Sequence, residues 1–261
     1  VAGIIGAAGD NGTGTVGVCW DVEIMALKAG EDGGLAYSTI IEAIQYAINN
    51  GAKILNMSFA GYAYSDGLKD AMEQTKNAKV ICVVAASNES NDNDTTPAYP
   101  ASFEFNNIIS VAASNQDDEL ADFSNYGKTS VDLMAPGVDI HSTLPGDSYG
   151  TKSGTSMAAP MVAGAVALLW EQFPNLKYDE IIWKLLKNTD KLTSRDDNTR
   201  SGRMNLEAAI NDTDSDEDGD DENFDHGSGG CSSYPHTKEI DFTNLLPFLI
   251  LFLFAIYRKV K

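Results

Sequence analysis

The 261 residues carry 38 Asp and Glu against 18 Lys and Arg, a net charge of −20 that excludes undirected electrostatic binding to nucleic acid. The length allows one to two domains, and 43% hydrophobic residues with 23 glycines suit a globular α/β protein with a sizeable core. Three cysteines, at 19, 82 and 231, are too few and too widely spaced for a disulfide framework or a zinc knuckle. Val1 is not a start methionine and no signal peptide is visible, so the chain reads as a piece of a longer one.

The charge is uneven, and the unevenness marks boundaries. Residues 1–210 hold 27 acids and 14 bases, whereas residues 212–225 hold nine acids and no Lys or Arg. The last 17 residues form an apolar run closed by Arg258, Lys259 and Lys261. The expected division is a globular part over 1–210, an acidic Gly/Ser-containing linker over 211–241, and a short hydrophobic segment with a basic end over 242–261.

Within the globular part, Glu23–Ala29, Lys53–Met57, Val80–Ala85 and Asn107–Ala112 predict short buried strands bounded by turn formers. Between the first two, Ile40, Ile41, Ile44, Ala47 and Ile48 give Tyr37–Asn49 a helical stripe, stopped by Asn50 and Gly51. Asp66–Asn77 predicts a second helix. Strands alternating with helices imply crossovers and a mostly parallel sheet.

In such sheets the working residues lie beyond the strands' carboxyl ends. Three loops rich in small residues stand there: Ser58–Gly61, Ser87–Glu89 and Ser153–Ala158. The third opens an alanine-rich helix from Thr155 to about Trp170. A serine in its first turn reads either as a cap, a task Ser153 or Thr155 serves equally well, or as a nucleophile whose N–H and helix dipole stabilise an oxyanion. From that loop alone the cap is favoured. Gly154–Ala158 is not the G-x-S-x-G elbow, because Ala158 replaces the second glycine.

Taken together, the loops change the balance. Ser153–Gly164 (SGTSMAAPMVAG) closely resembles the nucleophile segment of the subtilisin-like serine proteases, the subtilases. In matching order, Val1–Ala7 is similar to the start of the helix after that family's catalytic histidine, and Gly51–Ser58 to a strand entering the substrate wall. Ala85–Glu89 is similar to the oxyanion segment, and Phe123–Gly127 with Val131–Gly137 to a further shared stretch. The resemblance spans about residues 1–210. It implies an α/β three-layer sandwich with a mostly parallel central sheet flanked by helices, and a serine endopeptidase acting on protein or peptide substrates.

Carried over by position, the resemblance makes Ser156 the nucleophile and Asn88 the side-chain donor of the oxyanion hole. It makes Ser58, Phe59 and Ala60 one substrate-holding strand and Gly33, Gly34 and Leu35 the opposite one, with main-chain pairing giving broad specificity. Ala85 and Ser87 then border the pocket for the side chain before the scissile bond. Ser87 and Ala60 stand where the family has glycines, which predicts altered pocket shape. Met161 takes the place of a common histidine that is not the general base.

The family's triad runs Asp, His, Ser in chain order, and the first two fall before the segment matched by Val1. His141 reads as a structural or surface histidine, and His226 and His236 lie in the tail. The expectation is an active full-length protease, with this piece alone nearly inactive for want of its base. The rivals are a non-catalytic surface-binding module that kept the fold, and a maturation enzyme acting on one partner protein.

No cofactor is needed for such chemistry. Asp10–Thr15 resembles a loop where many subtilases bind structural calcium, although Asx and Gly are also ordinary loop residues. Asp214–Gly219 with Asp225 fits a calcium-loop pattern, against the alternative of a solvated acidic linker. Leu245–Tyr257 is a 13-residue apolar run, shorter than the roughly 20 of a spanning helix. Preceded by Gly227–Ser232 (GSGGCS) and followed by basic residues, it resembles bacterial C-terminal sorting signals, with Cys231 as the processing or attachment residue. That reading predicts a short apolar membrane helix, a sorting protease as partner, and a secreted or cell-surface location. Cys19 and Cys82 read as buried free thiols.

Overall fold

The computed structural model describes residues 1–30, 34–191 and 198–212, together with the backbone of 252–258. Helix α1 (Ala2–Gly6) is followed by β1 (Val22–Lys28), α2 (Tyr37–Asn49), β2 (Ile54–Met57), α3 (Asp66–Asn77) and β3 (Ile81–Ala85). Then come β4 (Ile108–Ser114), β5 (Leu133–Pro136), the hairpin β6 (Ile140–Leu144) and β7 (Ser148–Lys152), and α4 (Thr155–Gln172). Helices α5 (Tyr178–Lys187) and α6 (Leu206–Asn211) and strand β8 (Phe252–Arg258) complete the order.

Strands β2, β3, β4 and β5 pair in parallel, in that order, within a sheet β1-β8-β2-β3-β4-β5. All of their residues but the last of β5 are buried, which is why these strands read as largely apolar runs, broken only by Asn56, Ser110 and Ser114. The two-residue period sorts those runs between two cores. Ile81, Val83 and Ala85 pack with α4 and α5, while Cys82 and Val84 pack with α2 and α3. Helices therefore cover both faces, the expected three-layer architecture.

Helix α4 is the central helix of its layer, and it is hydrophobic on nearly every side because it is buried nearly all round. Gly164 lets α1 and its following loop press against it. A Cβ there would lie 2.7 Å from Val18 Cβ and 3.1 Å from the Ile5 carbonyl oxygen.

Two expectations need correction. Strand β8 lies between β1 and β2, antiparallel to both, so 252–258 is extended rather than part of a short apolar helix. Its phenylalanines, isoleucine and tyrosine favour a strand, and the apolar run is too short to span a bilayer as a helix. No helix among the described residues is long and apolar enough to cross a membrane. The second correction concerns the start of α4: neither Ser153 nor Thr155 caps it, and Gly154 occupies that position without a side-chain cap.

Candidate active site

The carboxyl ends of β2 and β3 and the first turn of α4 meet at one place. Ser58 follows β2, Ser87 and Asn88 follow β3, and Ser156 is the second residue of α4. Ser156 Oγ donates to the Ser58 carbonyl oxygen at 3.0 Å, and Ser58 Oγ donates to the Ser156 carbonyl oxygen at 3.1 Å. The reciprocal pair has a local cause. Pro160 has no N–H, so the Ser156 carbonyl loses its i+4 helical donor, and the Ser58 hydroxyl takes that place. Asn56 Nδ2 in turn donates to Ser58 Oγ at 2.9 Å, while the fully buried Asn56 Oδ1 has no hydrogen-bond partner among the described residues.

Asn88 is fixed by Thr155. Its Oδ1 accepts from the Thr155 N–H at 2.8 Å and from Thr155 Oγ1 at 3.0 Å. With the acceptor end committed, Nδ2 is the free donor end of the amide. Gly154, at φ +150°, sits between this amide and the helix. A Cβ on Gly154 would lie 3.7 Å from the Ser156 backbone nitrogen, 3.9 Å from Asn88 Nδ2 and 3.6 Å from Asn88 Oδ1. The Ser156 N–H belongs to the first turn, where helical N–H groups lack intrahelical partners. A backbone donor and a side-chain donor thus border one small space at the positive end of an 18-residue helix.

The substrate-wall residues divide. Leu35 and Phe59, expected on opposite strands, pack against the same core cluster as α2 and α3. Gly34 is described, whereas Gly33 lies outside the described residues. Ala60 is half-buried and continues to Gly61, which bridges to Tyr99. Ala85 turns its methyl into the core beneath α4, and Ala86 packs with Val131 and Met134. Only the backbone at 85 and 86 is left to border a pocket. Ser87 adopts φ +96°, which accounts for the glycine that the resemblance places there.

His141 lies exposed on β6, with Nδ1 3.3 Å from Thr151 Oγ1 and its ring stacked on Tyr149. Cys19 and Cys82 are free and buried, and burial pushes their thiols up to about 11 and about 12. In the Asp10–Thr15 loop, Asn11 Oδ1 accepts from the Thr13 N–H at 3.0 Å. Among the described residues no group of three or more acidic, His or Cys side chains is arranged to hold a metal. The second acidic loop, His226, His236 and Cys231 lie outside the described residues.

What the sequence reading left without a role is the network behind Asn88. Tyr62 Oη donates to Glu89 Oε2 at 3.0 Å, and Glu89 Oε2 also accepts from the Asn88 N–H at 2.9 Å. Burial, reinforced by the Glu89 charge, raises the Tyr62 phenol above its ordinary range, so it remains a donor. Phe123–Gly127 is one of the stretches that resemble the family, and its Asn125 is the buried centre of this network.

The fold and this arrangement define a class, and comparison with known proteins agrees with it. A model of the subtilase family matches residues 1–229, and the chain belongs to that family. It is 40% identical over 211 residues to a thermophilic serine proteinase of Bacillus sp. (strain AK1), covering 80% of this chain and 51% of the relative. It is 36% identical over 213 residues to subtilisin DY of Bacillus licheniformis, covering 80% of this chain and 75% of the relative. Subtilisin-like protease 2 of Plasmodium falciparum is 37% identical over 221 residues, which are 80% of this chain and 16% of that protein. The chain thus spans about half of the strain AK1 relative and three quarters of subtilisin DY.

Proposed function

We propose that the protein to which this chain belongs is a serine endopeptidase, with Ser156 as the nucleophile that forms the acyl-enzyme. The Ser156 N–H and Asn88 Nδ2 serve as the two oxyanion donors. The observation that carries the reading is their convergence beside Gly154, with Thr155 holding Asn88 donor-end outward. A carbonyl oxygen that gains charge on attack by Ser156 Oγ finds both donors already oriented, so little reorganisation is required as charge develops. Ser58–Ala60 and Gly33–Leu35 would hold the peptide extended by main-chain bonds.

The general base is assigned to polypeptide outside the described residues. His141 bonds to Thr151, and Ser156 Oγ donates to a carbonyl that cannot take its proton away. A secreted or cell-surface location, and sorting through the Gly227–Ser232 tail, belong to the same proposal. The mass of the mature C-terminus tests the tail: cleavage next to Cys231 supports it, and an intact Lys261 end removes it.

Fluorophosphonate labelling of the full-length protein, followed by peptide mapping, tests the chemistry. The reagent phosphonylates a serine activated by a neighbouring base. Label on Ser156, lost in Ser156→Ala, is the expected result. A folded, mature protein without label would overturn the proposal in favour of a binding module that kept the fold.

A further inference from the structure

We propose that Asn125 is a positioning residue for the oxyanion donor Asn88, an inference that rests on the endopeptidase reading above. Asn125 is fully buried, and every hydrogen-bonding site on its side chain is used. Oδ1 accepts from the Glu89 N–H at 2.9 Å and from the Asn91 N–H at 3.1 Å. Nδ2 donates to Asn93 Oδ1 at 2.9 Å and to Tyr62 Oη at 3.0 Å. Its own backbone N–H donates to the Ser87 carbonyl at 3.0 Å.

These bonds bracket Asn88. The carbonyl just before it and the N–H just after it are both held by Asn125, and Asn93 Nδ2 reaches back to the Ala86 carbonyl at 2.9 Å. The loop needs the clamp, because Ser87 at φ +96° and Ser90 at φ +54° occupy backbone regions that side chains other than glycine disfavour. Thr155 fixes the far end of the Asn88 amide. Asn125 fixes the backbone from which that amide springs.

The chemistry required of position 125 is narrow. Two acceptor lone pairs must face two backbone N–H groups while two N–H donors face the opposite way. Aspartate keeps the shape and the acceptors and loses both donors. Alanine loses everything. Nδ2 also reaches the opposite wall, since Tyr62 follows Gly61 of the Ser58–Gly61 segment. The spacing between wall and oxyanion loop is therefore set through the same side chain.

The experiment is steady-state kinetics on a peptide substrate with the full-length protein and its Asn125→Asp, Asn88→Ala and doubly substituted forms. Positioning through Asn88 predicts that Asn125→Asp lowers kcat by about 10- to 100-fold with KM within about twofold, as expected for a donor misplaced at the transition state. In the Asn88→Ala background the same change should cost less than about threefold, because the group it positions is gone. Tyr62→Phe removes one partner from an accessible side chain and keeps the test open if Asn125→Asp does not fold. It should lower kcat about two- to fivefold, again only when Asn88 is present.

Losses that multiply in the double variant, or a raised KM at unchanged kcat, would overturn the positioning role. So would wild-type kinetics in Tyr62→Phe together with a folded Asn125→Asp of full activity. Fluorophosphonate labelling separates the two levels. Wild type labelled on Ser156, with Asn125 and Asn88 acting independently, overturns only this inference. Folded wild type without label overturns the endopeptidase reading, and this inference with it.

Discussion

The loops Asp10–Thr15 and Ser87–Asn93 are both built from short polar residues, and each contains residues at positive φ. In the first, Thr13 and Asn11 bond to one another, its N–H and hydroxyl meeting the Asn11 side chain and carbonyl. In the second, nearly every group reaches a distant partner. Ser90 N–H meets the Phe123 carbonyl at 2.9 Å, Asn93 N–H meets the Tyr126 carbonyl at 2.8 Å, and Asn125 holds 87, 89 and 91. Composition makes both of them loops. The second is tied from outside at many points, as a segment that aims the proposed donor requires.

The contrast is open to direct tests. Asn88→Ala should lower kcat about 10²- to 10³-fold, a magnitude taken over from subtilisin, whereas Asn11→Ala should leave kcat unchanged. Equal losses would end the distinction. Ser58→Ala would orphan the Ser156 carbonyl and should cost about 1–3 kcal/mol in urea unfolding of the full-length protein.

Ser87→Gly should stabilise by about 1 kcal/mol by relieving φ +96°. Asp10→Gly, at φ +53°, should gain less than Ser87→Gly, because aspartate tolerates that region. A finding that both glycines act alike would mean that strain in the second loop is not specially held.

The smallest effect concerns Asp94, just beyond the second loop. Burial alone would raise its carboxyl, but bonds from the hydroxyls and N–H groups of Ser130 and Thr129 hold it below the ordinary range. A depressed carboxyl stabilises the fold above its unfolded value of about 3.9, and that contribution is lost as pH falls through the folded value. Asp94→Asn should therefore flatten the acid limb of a stability–pH curve. An unchanged limb would show that these bonds are replaced by water.

Much of this fold was legible in the residues. Helices Tyr37–Asn49 and Asp66–Asn77 fall where their stripes and stop signals put them, and the four strands begin or end within a residue or two of the apolar runs. These elements follow local rules, with one correction: β1, expected to be a buried strand, has only exposed and half-buried residues over Val22–Lys28. Helix α5 has its own local signal, the stripe of Ile181, Ile182, Leu185 and Leu186, although it lies outside the loops that carry the family resemblance. The β6–β7 hairpin was likewise announced by Pro145, Gly146 and Asp147. The antiparallel insertion of β8 had no local signal, since pairing with β1 and β2 is decided by what lies across the sheet.

The site divides in the same way. The two residues proposed to act, Ser156 and Asn88, stand out through their motifs, and both lie at the first turn of α4. The cap role offered to Thr155 failed because its hydroxyl found the Asn88 amide, 67 positions away in sequence. Asn125 was equally hidden: a buried asparagine inside a matching stretch shows nothing of its four partners until the chain is folded.

Pro160 carries a consequence beyond the bond it omits. Because the helix cannot claim the Ser156 carbonyl, that oxygen serves as a socket for the segment expected to grip the peptide. On the proposed reading of Ser156 as nucleophile and Ser58 as substrate wall, seating and attack become one mechanical variable. A peptide that pulled the Ser58 segment out of register would then also turn the proposed attacking hydroxyl away, so a poorly fitting chain would be refused at the moment of attack as well as at the door.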